Sequence, residues 1–216
     1  MFRILLMLMV SSTLLRCGVA KNPPYLVEDF DQLTNGHKRI AILPYESYAT
    51  WQMREKGKFN LWQEQLEVSG PYLQQKFFIA FAKNINKGKL DLAVQSFLIT
   101  NEKLHDNHIT YPTLKNIDKT SLGKLLDVDA LVFCEYFDNS NRSTARPGVT
   151  SALDIDKNML FTTSLFDGQS GKLLWRQNLV IPIQTRTDTK DRLAVKAINS
   201  FVKIFPYNYQ NGRPSY

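Results

Sequence analysis

Two histidines and two aspartates have spacings that could support chemistry. His105 and His108 are three residues apart, so on one helix they would share a face and could hold a metal ion. The sequence places no third ligand near them, and we expect two solvated histidines and no metal. Asp127 and Asp129 could act as paired carboxylates in acid–base catalysis. They stand between a predicted helix and a predicted strand, where capping and turn roles are expected.

A serine and a cysteine are the candidate nucleophiles. Residues 168–171 (GQSG) resemble a nucleophile elbow, but that motif needs a glycine two residues after its serine. Here Gly171 follows Ser170 directly, within a predicted hairpin, which predicts a β-turn. Cys134 lies in an apolar run and is predicted to be a buried, inert thiol. We therefore predict no catalytic residue, no cofactor and no metal.

The N-terminal segment predicts export from the cytosol. Arg3 is followed by an uncharged run from Ile4 to Leu15. This run is shorter than the roughly 20 residues that a membrane-spanning helix needs. A basic start and a short apolar stretch are typical of a secretory signal.

The end of this signal has two alternative cleavage sites. Residues 14–17 (LLRC) resemble a bacterial lipobox, in which the cysteine is acylated and becomes the mature N-terminus, so Cys17 is the predicted lipidation site. Arg16 departs from the glycine or alanine usual before that cysteine. The alternative cut follows Ala20, after small residues at positions −3 and −1. It would give a soluble periplasmic protein.

Composition and charge narrow the class of protein. The 216 residues are 44% hydrophobic and 22% charged, which excludes a wholly disordered chain, a collagen and a polytopic membrane protein. The formal net charge is +7. Removing the lipoprotein signal takes away Arg3 and Arg16 and leaves 25 basic against 20 acidic residues, or +5. For an exported domain, this balance favours anionic lipid or other envelope proteins as partners, and no nucleic acid.

Hydrophobic periodicity predicts one α/β domain over residues 38–205. We expect a central mixed β-sheet with a C-terminal β-hairpin, flanked by three or four helices. Residues 18–37, with two prolines, predict an extended tether, and residues 206–216 a loose tail. Residues 45–68 predict a long surface insertion. It carries Trp51 and Trp62, which form a possible interaction surface or fold back over the core.

The individual elements follow from apolar runs and capping signals. Ser69, followed by Pro71, predicts the start of a long helix ending near Gly88. In the hairpin, Gly168 and Gly171 are expected to supply the positive φ angles of the turn. Predicted strands cover 39–44, 90–98, 130–137, 158–166 and 172–181, and the other predicted helices cover 102–108, 117–126 and 188–205.

Three segments resemble one group of bacterial lipoproteins. Residues 38–45 (KRIAILPY) resemble the "IAVLPF" opening strand of CsgG-type and LpoB-like (penicillin-binding-protein activator) outer-membrane lipoproteins. Residues 125–133 (LLDVDALVF) are similar to their "GADALVxG" junction, with Asp127 in place of glycine and Val128 in place of alanine. Residues 164–175 (SLFDGQSGKLLW) resemble their "LxDxxTGxxLW" hairpin.

The resemblance implies a compact α/β domain, lipid-anchored at the outer membrane and facing the periplasm. It also implies contacts with other envelope proteins or assembly into a homo-oligomer. Together with the residues themselves, it favours a non-catalytic accessory or assembly factor. A ring-forming export component of the CsgG type and a soluble periplasmic hydrolase remain the alternatives.

Overall fold

The predicted α/β class with a central mixed sheet is confirmed. The structure, a computed structural model, describes residues 20–21, 23–47, 59–138, 158–183 and 187–208. The strands are β1 (Ala20–Lys21), β2 (Tyr25–Leu26), β3 (Arg39–Ile42), β4 (Glu46–Ser47), β5 (Ala93–Val94), β6 (Ala130–Asp138), β7 (Asn158–Asp167) and β8 (Leu173–Pro182). They form one sheet with the order β1-β8-β7-β6-β3-β5, while β2 pairs with β8 and β4 with β6.

Helices cover both faces of this sheet. They are α1 (Phe30–Leu33), α2 (Phe59–Asn86), α3 (Phe97–Asp106), α4 (Lys119–Leu126) and α5 (Lys190–Lys203), with a 3₁₀ helix at Tyr111–Asn116. The first face packs against α1, α2 and α5. The second face packs against α3, the 3₁₀ helix and α4.

Strand β3 is buried on both faces, as its continuous apolar run predicted. Ile40 and Ile42 belong to the core of the first face, and Ala41 and Leu43 to that of the second. The pairing of β3 with β5 and β6 is parallel, whereas β6, β7 and β8 pair antiparallel. The sheet is therefore mixed, with its parallel part at the β5 side.

The predicted hairpin is present, but only one of its two glycines has the expected conformation. Gly171 has a φ of 72°, in the left-handed region. Gly168 lacks a positive φ. Glycine is required at position 168 because a Cβ there would lie only 2.6 Å from the Val128 carbonyl oxygen.

The long helix begins ten residues earlier than predicted, at Phe59 instead of Ser69, and passes through Pro71. Residues 59–67 therefore belong to a helix and not to a surface insertion. The glycine–proline pair marks a close contact: the Tyr45 amide donates to the Gly70 carbonyl at 3.2 Å. A Cβ on residue 70 would lie 2.8 Å from the Tyr45 carbonyl oxygen, so glycine permits this approach.

The predicted strand over residues 90–98 is mostly wrong. Only Ala93–Val94 is a strand, and α3 begins at Phe97 rather than at residue 102. Ser96 caps this helix, because its hydroxyl accepts the Leu98 amide at 3.3 Å. A short apolar run is compatible with a strand or with a helix, and the Ser96 cap favours the helix.

The two ends of the described chain also differ from the prediction. In place of an extended tether, β1 and β2 pair with β8, and Val27 and Phe30 are buried. We call the described residues before β3 the leader. Apolar side chains hold it at the sheet edge, where its prolines remove no hydrogen bond from a central strand. At the other end, Tyr207 is buried and Asn208 pairs with Leu90, so the start of the expected loose tail is packed.

The two remaining predicted helices agree with the structure. Helix α4 is capped by Asp118, whose carboxylate accepts the Ser121 amide at 2.8 Å. Helix α5 is capped by Thr189 and buries Leu193, Ala197 and Phe201, as its periodicity predicted. Among the described residues, none of the helices combines the length and the hydropathy of a membrane-spanning segment.

Candidate functional site

The predicted lipidation and interaction residues lie mostly outside the described ranges. Cys17 and Trp51 fall there, so their roles stay predictions. Trp62 belongs to α2 rather than to a loop.

The histidine pair is solvated. His105 is exposed at the end of α3, with its Nδ1 3.6 Å from Asp106 Oδ1. His108 is exposed beyond the helix end. Across the described ranges, no group of three His, Cys, Asp or Glu side chains could hold a metal ion.

The two aspartates have the predicted junction roles. Asp127 ends α4 in the left-handed region, with a φ of 58°. One carboxylate oxygen of Asp129 accepts the amides of Lys38 and Arg39 at 2.7 and 2.8 Å. This contact ties the start of β3 to the start of β6, so Asp129 organises the sheet.

Cys134 is buried on the first face of β6. Burial raises the pKa of its thiol to about 12, so the thiolate is disfavoured. Its sulfur accepts from the Thr163 hydroxyl at 3.8 Å. The thiol is a core group, as predicted.

His37 joins three distant segments of the chain, which the sequence analysis did not anticipate. Its Nε2 lies 3.0 Å from Asp167 Oδ1, and its Nδ1 lies 2.6 Å from the Tyr207 hydroxyl. The other oxygen of Asp167 accepts the Ser170 amide and hydroxyl. These groups do not form a catalytic triad, because Ser170 bonds to the aspartate whereas the nucleophile of a triad bonds to the histidine.

A second set of polar residues lies on the second face of the sheet, over β6, β7 and β8. We call it the open sheet face, because the helices that the structure describes on this side pack at the Leu131–Phe166 end. The strand register aligns its members in three rows. The rows are Tyr25–Arg176–Ser164–Phe133, Asn178–Thr162–Glu135 and Val180–Leu160–Phe137.

Hydrogen bonds between neighbouring strands fix the polar members of the open sheet face. Arg176 Nε donates to Ser164 Oγ at 2.9 Å, and Thr162 Oγ1 donates to Asn178 Oδ1 at 2.9 Å. Arg176 and Tyr25 are exposed, while Leu160, Thr162, Asn178 and Val180 are half-buried. The surface thus presents ordered polar groups among apolar ones.

The middle row continues through β4 to a buried carboxylate. Glu46 pairs with Glu135 across β4 and β6, and Glu46 is 6% exposed. Burial raises the pKa of Glu46, while the ammonium of Lys115, 2.6 Å from its Oε1, opposes the rise. The nearby Glu135 carboxylate adds to the rise.

Lys119 completes this cluster. Its Nζ lies 4.5 Å from the centre of the Phe133 ring and donates to the carbonyls of Lys115 and Ile117. Burial lowers its pKa, while the charges of Asp118, Glu46 and Glu135 oppose this change. The cluster therefore holds two lysines and two glutamates at one edge of the open sheet face.

This arrangement is suited to binding. It presents arginine and aromatic side chains beside hydrogen-bonding groups, a mixture typical of protein interfaces. The sequence reasoning missed it, because the pairing register alone brings these residues together. Runs of polar residues, 162–164 in β7 and 176–178 in β8, are visible in the sequence, but they do not give the register that aligns the strands.

No protein-family model matches the sequence, and no curated protein is significantly similar to it. Among solved structures, lipoprotein GNA1162 from Neisseria meningitidis is 14% identical with a TM-score of 0.44, over 77% of this chain and 96% of that one. The PelC dodecamer from Paraburkholderia phytofirmans is 9% identical with a TM-score of 0.41, over 85% and 92%. The LpoB C-terminal domain from Salmonella enterica is 6% identical with a TM-score of 0.34, over 72% and 99%.

The expected resemblance to this group of lipoproteins is thus confirmed as structural similarity. All three identities are 14% or less, and all three TM-scores are below 0.5. Similarity at this level says nothing about the function of this chain.

Proposed function

We propose that this chain is a bacterial envelope lipoprotein, anchored through acylated Cys17 on the periplasmic side of the outer membrane. It acts as a non-catalytic accessory or assembly factor by binding another envelope protein. In this proposal, Trp51 and Trp62 are further candidate residues for contact with that protein. The observation that carries this proposal is the open sheet face. The N-terminal segment, which has the pattern of an export signal, supports the location in the envelope.

The open sheet face supports a protein partner. A sheet face in a single domain is usually covered by another layer or lined by polar side chains, because exposing apolar side chains to water is unfavourable. Here Leu160 and Val180 form a half-buried apolar row beside Asn178, Thr162 and the exposed Arg176. A partner that covers this row would bury the apolar side chains and could accept hydrogen bonds from Arg176.

The titratable groups of the cluster support binding rather than catalysis. The carboxylate of Glu46 already pairs with Lys115 at 2.6 Å, and the Lys119 ammonium donates to two carbonyls. Structural ion pairs of this kind also shift pKa values.

The experiment is site-specific photo-cross-linking in native envelopes. A photoreactive residue at Asn178 lies on the open sheet face, and one at Lys196 lies exposed on α5, on the other side of the sheet. We expect a defined adduct with an envelope protein from position 178 and none from position 196. The adduct should disappear when Val180→Asp is added.

Loss of biological activity provides the second readout. Val180→Asp should fail to complement a deletion strain while folding like the parent. Substitutions that remove the candidate acid–base groups should complement it, namely His105→Ala, His108→Ala, Asp127→Asn and Asp129→Asn. Failure of these variants, with Val180→Asp active, would favour the hydrolase alternative.

A further inference from the structure

Exposed apolar side chains concentrate on α2 and α3, two helices that contact each other through Phe78 and Phe97. Among the described residues, six large apolar side chains are exposed, and five of them lie on α2 or α3. Single exposed apolar residues are common, but a cluster marks an interaction site. The five are Val68, Tyr72, Ile79, Leu98 and Ile99.

Three of these residues form a stripe along α2. Val68, Tyr72 and Ile79 are separated by four and seven residues, so they share one face of the helix. Val68 is 76% exposed and Ile79 is 54% exposed. The opposite face buries Leu73, Phe77 and Phe81 in the core. We call Val68, Tyr72 and Ile79 the outer stripe.

The surroundings of the outer stripe are basic. Between Val68 and Leu90 the chain has four lysines and no acidic residue. Lys76 Nζ lies 4.8 Å from the centre of the Tyr72 ring, and Lys83 is exposed one turn beyond Ile79. Helix α5 packs against α2 and carries three exposed cations, namely Lys190, Arg192 and Lys196. Its exposed acidic residue Asp191 accepts a hydrogen bond from the Tyr72 hydroxyl at 2.7 Å.

The lysines beside the outer stripe disfavour a second copy of this chain as its occupant. Two copies joined through it would bring their lysines together, and like charges in contact are destabilising. An occupant that accepts both apolar side chains and ammonium groups must be apolar inside and anionic at its surface. The interface of a bilayer that contains acidic phospholipids has this chemistry.

The position of the leader supports the same occupant. Ala20 pairs with Val180, which pairs with Leu160. Tyr72 lines a cavity together with Met159 and Phe161, the neighbours of Leu160 in β7. The first residue of β1 and the Tyr72 end of the stripe therefore lie at the same end of the sheet. Cys17 precedes Ala20 by three residues, which span at most roughly 10 Å.

We propose that the outer stripe of α2, with its flanking lysines, rests on an anionic lipid surface, so that the acyl anchor and the stripe together fix the orientation of the domain. This inference rests on the proposed anchoring through Cys17. It adds a second membrane contact, on the opposite side of the sheet from the open sheet face, where the proposed protein partner binds.

The test uses the chain from Gly18 onward, which keeps every described residue and carries no acyl group. Sedimentation with vesicles of phosphatidylglycerol and phosphatidylcholine should capture this chain, and vesicles of phosphatidylcholine alone should not. Added salt should weaken the capture, because it screens the lysines. The double variant Lys83→Glu/Lys87→Glu should bind at least tenfold more weakly, since each lysine near a membrane contributes about fivefold.

Matched controls separate the stripe from general surface charge. Lys124→Glu changes an exposed lysine of α4, on the other side of the sheet, and should lower binding much less than the double variant. Val68→Ser/Ile79→Ser removes exposed methyl groups, so it should fold like the parent and still lose binding. Absence of capture by anionic vesicles, or equal capture of all variants, overturns the proposal.

A fluorescent label reports insertion directly. Cys134 is buried, so an environment-sensitive thiol dye should attach to an added cysteine. Dye at Ile79→Cys should shift to the blue with anionic vesicles, and dye at Tyr25→Cys, exposed on the other face, should not. An unshifted Ile79→Cys signal, or binding to an acidic protein in place of vesicles, overturns the lipid contact. The cross-link at Asn178 tests the proposed function separately.

Discussion

His37 Nε2 lies 3.0 Å from Asp167 Oδ1, and both side chains are more than nine-tenths buried. The pair connects the leader before β3 to the end of β7, across 130 residues of sequence. Through its other nitrogen, His37 also reaches the hydroxyl of Tyr207, after α5. The first and last parts of the domain are therefore fastened to the turn of the hairpin.

Removing the histidine should weaken the whole domain. His37→Ala leaves Asp167 and the Tyr207 hydroxyl with a lost partner in a buried site, which costs about 1–3 kcal/mol of the free energy of unfolding. Tyr207→Phe loses one hydrogen bond and should cost about 0.5–1.5 kcal/mol. Urea denaturation measures both. His105→Ala, at an exposed position, is the control, and an equal effect there would show that the contact is not stabilising.

Gly168 should be sensitive to the smallest side chain. A Cβ there would lie 2.6 Å from the Val128 carbonyl oxygen and 2.9 Å from that of Asp129, and both are backbone atoms. Because backbone must move to relieve the contact, Gly168→Ala should destabilise the domain by about 1–3 kcal/mol. The neighbouring Gln169→Ala is exposed and should change stability by less than about 0.5 kcal/mol. Equal thermal midpoints for the two variants would contradict this account of Gly168.

The buried Glu46 should leave a signature in the pH dependence of stability. Its pKa is raised in the folded state, first by burial, above the ordinary value of 4.5. The folded protein then binds more protons than the unfolded chain between these two pKa values. The free energy of unfolding should therefore fall, through this group, as the pH rises through that window.

Glu46→Gln removes this titration. Urea denaturation at a series of pH values above 4.5 should show a smaller fall for Glu46→Gln than for the parent. Glu102→Gln, at an exposed position of α3, should follow the parent curve. If the free energy of unfolding changed with pH in the same way for the parent and for Glu46→Gln, the Glu46 carboxylate would ionise in the folded state as it does in water.

The leader should behave as part of the domain. The Val27 amide donates to the Leu174 carbonyl at 3.0 Å, and Phe30 is buried in the core. Hydrogen exchange at the Val27 amide should therefore be slowed well below its rate in a free peptide of residues 18–37. Exchange at the rate of the free peptide would contradict this packing and would support the extended tether that the sequence predicts.

The strongest sequence signals gave the correct elements. The hairpin, β3, β6 and the helix after Asp118 each combine a clear periodicity with a turn or capping residue, so local information determines them. The errors occur where tertiary contacts decide. Ser69 and Pro71 indicate a helix start, but the helix begins at Phe59, and Gly70 lies within it at a close contact with Tyr45. The leader looks like a tether because its contacts with β8 are distant in sequence.

The candidate site was less predictable than the fold. Asp127, Asp129 and Cys134 have the expected structural roles, because their roles follow from neighbouring elements. Glu46, Thr162 and Asn178 come together only through the register of four strands. No spacing within one segment of the sequence contains that information.

The mass of the mature N-terminus, taken from native envelopes, tests the central claim most directly. Lipid anchoring predicts that the chain begins at Cys17 and carries acyl groups, and that Cys17→Ala no longer fractionates with membranes. An unacylated chain cut after Ala20 would contradict the anchor. A full-length product in the cytosol, with Met1 still attached, would contradict the whole account.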